Sequence, residues 1–302
     1  MSDTTYGAIE AGGTKWVCAV ADAEGRLLTT GVIPTTTPAD TVGAAVRFFR
    51  RHGPPAAIGV GTFGPVDLRP DSPLYGHITT TPKPGWAYTD VVSPLRAALD
   101  VPVGLDTDVN AAALGEWRRG AGAGLGTLAY MTVGTGIGVG VVVRGRPLHG
   151  LSHPEFGHIR VPRDAEADPF AGSCPFHGDC LEGLASGAAM RRRWGRPPEE
   201  LDDARAWELE AGYLALAVVN LTYALSPERV VLGGGVAKHP PLIALVRARV
   251  AGLAAGYPAV PALTDPRAMD EYLVAPSLGD HSGVVGAVEL ARDALRDAKE
   301  SA

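Results

Sequence analysis

Apolar stretches along the chain form short strands and longer helices in an order that occurs twice. Tyr6–Glu10 and Trp16–Ala21 read as strands joined by a glycine turn, followed by a hairpin turn at Asp22–Gly25 and a third strand over Leu27–Ile33. Thr41–Arg51 and Val91–Leu99 read as helices, and the apolar runs Ala57–Val60 and Val101–Leu105 as strands. The second run ends in Asp106-Thr107-Asp108-Val109-Asn110, which opens a helix through Arg119. From Leu128 the N-terminal order returns: an apolar strand to Thr132, a glycine turn at Val133-Gly134-Thr135-Gly136, a strand, and a hairpin at Arg144-Gly145-Arg146. Beyond it lie a basic helix Ser186–Trp194, a loop over 195–203 and a long helix Ala204–Leu225. The chain closes with a strand Arg229–Leu232, a helix from about Pro241 to Ala254, and a last helix from Ser282 to about Lys299.

IEAGGTKWVCAV and TVGTGIGVGVVV look like copies of one unit. A duplication with a phosphate loop in each half suggests two lobes gripping one nucleotide. Glu10 before Gly12-Gly13-Thr14 suits a turn whose backbone N–H groups and hydroxyl meet a phosphate, with the carboxylate facing its Mg²⁺. An ordinary hairpin is the competing reading. Neither copy satisfies G-x-G-x-x-G and no Gly-Lys-Ser/Thr occurs, so Rossmann and P-loop readings are unsupported. Asp108 stands at a strand end and a helix start. It suits a helix cap and equally a general base at the mouth of an open sheet. The loop Ile78–Trp86 is stiffened by prolines and either covers a small polar ligand or is anchored by its packed Trp86. The corner Gly233-Gly234-Gly235 and the pair Gly283 and Gly286 allow close approach of a ligand or of a neighbouring element.

Composition narrows these readings. With 302 residues, the chain makes one large domain or two medium ones, and 46% hydrophobic content supplies a core and excludes disorder. A net charge of −6 argues against a nucleic-acid or anionic-membrane surface. Arg191-Arg192-Arg193 reads as a solvated helix face. No signal peptide stands at the N-terminus, and Glu208, Glu210 and Asn220 interrupt the most apolar helix, which cannot span a bilayer. Three cysteines point to a reducing compartment, so a soluble cytoplasmic protein is expected.

The densest chemistry lies between Ser152 and Ser186. His158, Cys174, His177 and Cys180 fall within 23 residues, three of them in a C-x-x-H-x-x-C run. Two thiolates and two imidazoles are what a closed tetrahedral Zn²⁺ site takes, structural because no position stays open for water, against a chance grouping of the four. A disulfide is the weaker alternative, since three cysteines are no disulfide framework.

Nine motifs in order carry a resemblance that covers nearly the whole chain: IEAGGTK (9–15), TFGPVD (62–67), ITTTPKPGW (78–86), DTDVNAAALGE (106–116), TVGTGIGVG (132–140), HPEFGH (153–158), CPFHGDCLEGLASG (174–187), LGGGV (232–236) and GDHSGVVGAVELA (279–291). The chain resembles the ROK family of sugar kinases, and within it the bacterial fructokinase branch. The resemblance implies an α/β, actin-like (ribonuclease H-like) fold with a duplicated βββαβαβα core. It further implies two lobes around a cleft that holds ATP, Mg²⁺ and a hexose. The lobes are expected over 1–110, with the C-terminal helix 286–302 packing back on it, and over 111–285, which carries the zinc loop. Asp108 matches the base that takes the proton from the attacking sugar hydroxyl. Glu155, His158 and Glu182 match positions that hold sugar hydroxyls, with Gly64, Pro65, Thr81, Trp86 and Thr107 also on the substrate side. His158 would serve the metal as well. Gly12, Gly13, Thr14 and Lys15 after Glu10 match the first phosphate loop, Gly134, Thr135 and Gly136 the second, and Gly233, Gly234, Gly235 and Gly283 the adenosine side.

Two positions depart from the broad family pattern: Glu10 replaces the usual Asp, and His177 replaces a cysteine. Both are similar to the fructokinase branch, as are PKPGW and CPFHGDCLEG. Fructose is therefore the expected substrate, with a glucokinase or mannokinase as the alternative. A sugar-sensing regulator lacking catalysis is the other class. It needs a DNA-binding region of ~60–80 residues ahead of a phosphate loop that here begins by Glu10. The family is often dimeric, so a homodimer is among the expected states.

Overall fold

Small and large residues are segregated on the two faces of the first sheet, and this segregation decides what can pack there. The computed structural model describes residues 4–301. The chain divides into two units. The first comprises the chain up to Gly120, Arg146–His153 and the stretch from His281; the second comprises Ala121–Gly145 and Pro154–Asp280.

In the first unit, β1 (Tyr6–Ala11), β2 (Lys15–Ala21) and β3 (Leu27–Pro34) form an antiparallel meander. Helix α1 (Pro38–His52) follows, capped by Thr37, whose hydroxyl accepts from the Asp40 N–H at 3.2 Å. Next come β4 (Ala57–Thr62), the short pair β5 (His77–Ile78) and β6 (Thr89–Asp90), α2 (Ser93–Leu99), β7 (Val103–Thr107) and α3 (Asp108–Arg119). The sheet order is β3-β2-β1-β4-β7, with β1, β4 and β7 parallel. One face presents Ile9, Ile58, Val60 and Leu105, packed with Val46, Phe49 and Leu95 of α1 and α2. The other presents Ala8, Ala19 and Ala21 to Val284, Ala287 and Val288 of the last helix, α10 (Ser282–Glu300 once α4–α9 are counted).

Glycine lets α10 lie directly on its neighbours. A methyl group at Gly59 would overlap the Ala287 carbonyl oxygen, one at Gly104 that of Leu290, and one at Gly286 that of Ala111 in α3. Gly286→Ala is therefore expected to destabilise the first unit by about 1–3 kcal/mol, the usual cost of overpacking against atoms that cannot yield. An unchanged urea midpoint for this variant would contradict the packing. Buried Glu289 accepts from Arg118 and Arg119 at 3.1 and 2.9 Å, and Ser282 donates to Glu116 at 2.8 Å, so polar contacts tie the same two helices. The consequence for domain limits is direct. Helix α3 belongs wholly to the first unit, which runs through Gly120 rather than ending at residue 110. The C-terminal stretch joins it from His281, ahead of 286, and Arg146–His153, with the two-residue β10 (Arg146–Pro147), belongs to it as well.

The second unit repeats the strand pattern. β8 (Thr127–Val133) pairs antiparallel with β9 (Ile137–Val143), as β1 does with β2. Helices α4 (Leu181–Ala185), α5 (Gly187–Trp194) and α6 (Ala204–Leu225) precede β11 (Arg229–Gly233), which runs parallel to β8. Helices α7 (Leu242–Ala254), α8 (Pro261–Thr264) and α9 (Pro266–Tyr272) lead to β12 (Leu273–Val274), parallel to β11. Helices α8 and α9 and strands β5, β6 and β12 carry no periodic signal, because two to seven residues do not complete enough turns or alternations to show one. Arg193 departs from the solvated helix face expected of it. Its side chain is 7% exposed, paired with Asp168 at 3.0 Å and set over the Phe170 ring. Among the described residues, no helix is long and apolar enough to cross a membrane.

Candidate active site

In the first unit, the glycine turn joins β1 to β2. Gly12 N–H donates to the Lys15 carbonyl at 3.0 Å, and Thr35 Oγ1 donates to the Gly12 carbonyl at 2.7 Å. The turn is thereby fixed from behind, while Thr14 and Lys15 stay exposed and a methyl group at Gly13 would meet nothing within 4 Å. The Glu10 carboxylate fills the space that a side chain at Gly283 would take, its Cδ 2.5 Å from that Cβ position. Gly283 therefore packs directly against the Glu10 carboxylate. Sequence spacing cannot reveal this, because α10 reaches β1 from the far end of the chain.

Asp108 is the first residue of α3, and the cap is Thr107, whose Oγ1 accepts from the Asn110 N–H at 3.1 Å. The capping duty that the sequence offered to Asp108 is thus carried by its neighbour. Asp108 is half-buried and its Oδ1 accepts from the Val109 N–H at 2.8 Å. Buried Asp106 backs this turn: Oδ1 accepts from the Thr107 N–H at 2.8 Å and from Asn110 Nδ2 at 2.7 Å, and Oδ2 accepts from His149 Nε2 at 2.9 Å. The hydrogen bond to Asp106 raises the His149 imidazole above its ordinary range. Asp106, Asn110 and His149 carried no signal of their own in the sequence, 43 positions separating the histidine from its carboxylate.

Gly64 and Pro65 are half-buried in the loop after β4, beside His153. Thr81 lies in the 78–86 loop, its Oγ1 accepting from the Lys83 N–H at 3.3 Å. Trp86 is not at a surface. Its indole is fully buried against Trp16 and Phe63 and donates to the Thr36 carbonyl at 2.9 Å. It anchors the loop and does not offer a ring to a substrate.

In the second unit, Gly134, Thr135 and Gly136 form the β8–β9 turn, closed by Gly134 N–H to the Gly136 carbonyl at 2.9 Å, with Thr135 exposed. Glu182, on the first turn of α4, is drawn onto this turn, its Oε2 accepting from the Ile137 N–H at 2.9 Å. Gly233 and Gly234 are wedged against Tyr130 and Val133, Gly234 at φ +92°, whereas Gly235 is exposed. Beyond this corner, His239 stacks flat on Trp207, ring centroids 3.6 Å apart.

The metal reading passes a geometric test. Ligand atoms of His158, Cys174, His177 and Cys180 all lie within 4.8 Å of one another, and the cysteines are free thiols, which removes the disulfide alternative. His158 Nδ1 is 3.3 Å from His177 Nδ1, 3.5 Å from Cys180 Sγ and 3.7 Å from Cys174 Sγ. A tetrahedral zinc with ordinary bond lengths separates two nitrogens by ~3.3 Å and nitrogen from sulfur by ~3.5 Å. The knuckle is built for closeness: methyl groups at Gly172 or Gly183 would overlap the Gly178 carbonyl oxygen. Arg160 braces it through Asp179 and the His177 carbonyl. Burial pushes the Cys180 thiol up to about 11, so a metal entering here displaces protons. The third cysteine, Cys18, is core, its thiol pushed up to about 12 by burial in β2. The far side of the His158 ring faces Glu155, with Nε2 4.0 Å from its carboxylate. Burial, and then the Glu182 charge, push the Glu155 carboxyl up to about 7, tempered by the water that reaches 46% of the side chain.

A ROK-type kinase fold and a Cys/His knuckle together define a class, and comparison with known proteins agrees. The ROK family pattern matches residues 6–294, and the chain belongs to that family. It is 46% identical over 297 residues to the fructokinase of Zymomonas mobilis, covering 95% of this chain and 96% of that protein. The ROK hexokinase of Thermus thermophilus superposes with a TM-score of 0.78 at 31% identity, over 97% of this chain and 100% of that one. The ROK glucokinase of Streptomyces griseus, solved with glucose and AMPPNP, superposes with a TM-score of 0.74 at 27% identity, over 96% and 99% of the two chains.

Proposed function

We propose that this chain is an ATP-dependent fructokinase that converts D-fructose to D-fructose 6-phosphate, with Asp108 as general base. The observation that carries the reading is the 46% identity to a fructokinase across nearly the full chain, against 27% to a glucokinase of the same fold. Asp108 suits the base because its turn is held from behind by Asp106 and capped by Thr107, leaving its carboxylate no structural duty of capping. It takes the proton of the fructose 6-hydroxyl as that oxygen attacks the γ-phosphorus, and the β–γ bridging oxygen leaves with ADP. Glu155, His158 and Glu182 hold other hexose hydroxyls, carboxylate oxygens accepting more than one hydrogen bond each. Lys15 and the turns Gly12–Thr14 and Gly134–Gly136 bind the phosphates through backbone N–H groups and side chains. Glu10 would be the carboxylate that faces Mg²⁺, an ion that would neutralise phosphate charge in such a transfer. His158, Cys174, His177 and Cys180 hold a structural Zn²⁺. Such an ion would fix the loop between Glu155 and Glu182, and four protein ligands would leave it no open position for substrate.

Specificity is tested by kcat/KM for fructose, glucose, mannose and N-acetylmannosamine with ATP·Mg²⁺. Fructose is expected to lead. Should another hexose lead, the branch assignment built on Glu10 and His177 fails while the kinase class stands.

A further inference from the structure

The segment Arg146–His153 touches two hexose-side turns of the first unit at once, each through a histidine. His149 Nε2 bonds Asp106 Oδ2 at 2.9 Å, behind the turn that leads into Asp108. His153 Nε2 accepts from the Val66 N–H at 3.2 Å and lies against Gly64, in the loop that carries Pro65. We propose that His149 and His153 are positioning residues, which clasp the Asp106–Asp108 turn and the Gly64–Val66 loop to one segment of chain and so set the base against the sugar. This rests on the reading of Asp108 as base.

Physics favours a positioning role over a merely packed one. The Asp106 carboxylate is 2% exposed, and a buried carboxylate is tolerated only when its oxygens are hydrogen-bonded. Oδ1 has two donors from its own turn, Thr107 N–H and Asn110 Nδ2, whereas Oδ2 accepts from outside it, from His149. His149 thus decides which way the carboxylate faces, and with it the Thr107 N–H and the Asn110 amide that shape the first turn of α3. A base displaced by about 1 Å loses ~10²-fold in rate. His149 is 42% exposed, so truncating it leaves a water-filled notch and not a core cavity. His153 is 7% exposed and its ring is an acceptor for a backbone N–H, so glutamine, which can present an oxygen there, is its informative variant.

The test compares His149→Ala, His149→Gln, His153→Gln and His153→Leu by steady-state kinetics with fructose and ATP·Mg²⁺, alongside thermal melting. Glutamine places an N–H near the position of Nε2. His149→Ala is expected to lower kcat by ~10–10²-fold with KM for fructose changed less than about threefold, the split expected when only the transition-state arrangement is lost. His149→Gln recovers most of that loss, and His153→Gln, which keeps an acceptor for the Val66 N–H, retains a higher kcat than His153→Leu, equal kcat of the two overturning the role of His153. Wild-type kcat in His149→Ala overturns the inference, and so does equal impairment of His149→Ala and His149→Gln. If His149→Ala does not fold, His149→Gln against His149→Asn decides: equal kcat overturns it, because asparagine does not reach Asp106. A silent His149→Ala beside an inactive Asp108→Asn sinks the clasp alone, whereas an active Asp108→Asn sinks the reading of the base.

Discussion

Replacing Asp108 by asparagine is expected to lower kcat by roughly 10²–10⁴-fold, the contribution of a positioned general base, with fructose binding and thermal stability unchanged. The substitution is nearly isosteric and keeps the Oδ1 that accepts from the Val109 N–H. The Thr107 cap and the Asp106 contacts behind the turn involve neither of the altered atoms. The substitution removes the negative charge and, with it, the capacity to accept a proton. Fructose binding, read by calorimetry, separates the outcomes: full binding with lost turnover fits the base, and retained turnover removes Asp108 from the chemistry. Loss of binding as well would mean that the side chain holds the sugar more than it activates it.

The second large effect is expected at the metal. Cys180→Ser is expected to reduce zinc from one equivalent per chain to none. Melting temperature should fall by roughly 4–12 °C, the shift that about 2–3 kcal/mol produces in a unit of this size. KM for fructose should rise, because Glu182 follows Cys180 by two positions and Glu155 precedes His158 by three. Metal analysis and melting report on this without any assay of turnover. Wild-type protein that holds no zinc, and melts at the same temperature with and without a chelator, would end the argument. Burial raises the Cys180 thiol, which must release its proton to bind metal, so zinc uptake by the apoprotein is also expected to acidify a weakly buffered solution.

Much of this is legible in the sequence. The duplicated glycine turns were visible because each lies between apolar runs, and the metal ligands because three of them are close in sequence. What stayed hidden depends on long-range packing. His149 meets Asp106 only because Arg146–His153 lies with the first unit, and Gly283 meets Glu10 only because α10 packs back on β1. Of the two readings of Trp86, the packed anchor holds and the ligand-facing ring does not; a proline-rich loop with one aromatic looks the same in sequence whether the ring faces a ligand or Trp16. The boundary at residue 110 failed because it cut α3 near its first turn, where the sequence shows a strand ending but not the close approach of Gly286 to the Ala111 carbonyl that seats the helix on α10.

The central claim is transfer of the ATP γ-phosphoryl group to fructose, and product stoichiometry tests it most directly. Enzyme with fructose and ATP·Mg²⁺ is expected to yield ADP and fructose 6-phosphate in equal amounts, with phosphate on C6 by NMR and negligible ADP when fructose is omitted. ADP formed without phosphorylated sugar, or no ADP with any hexose, would contradict the account.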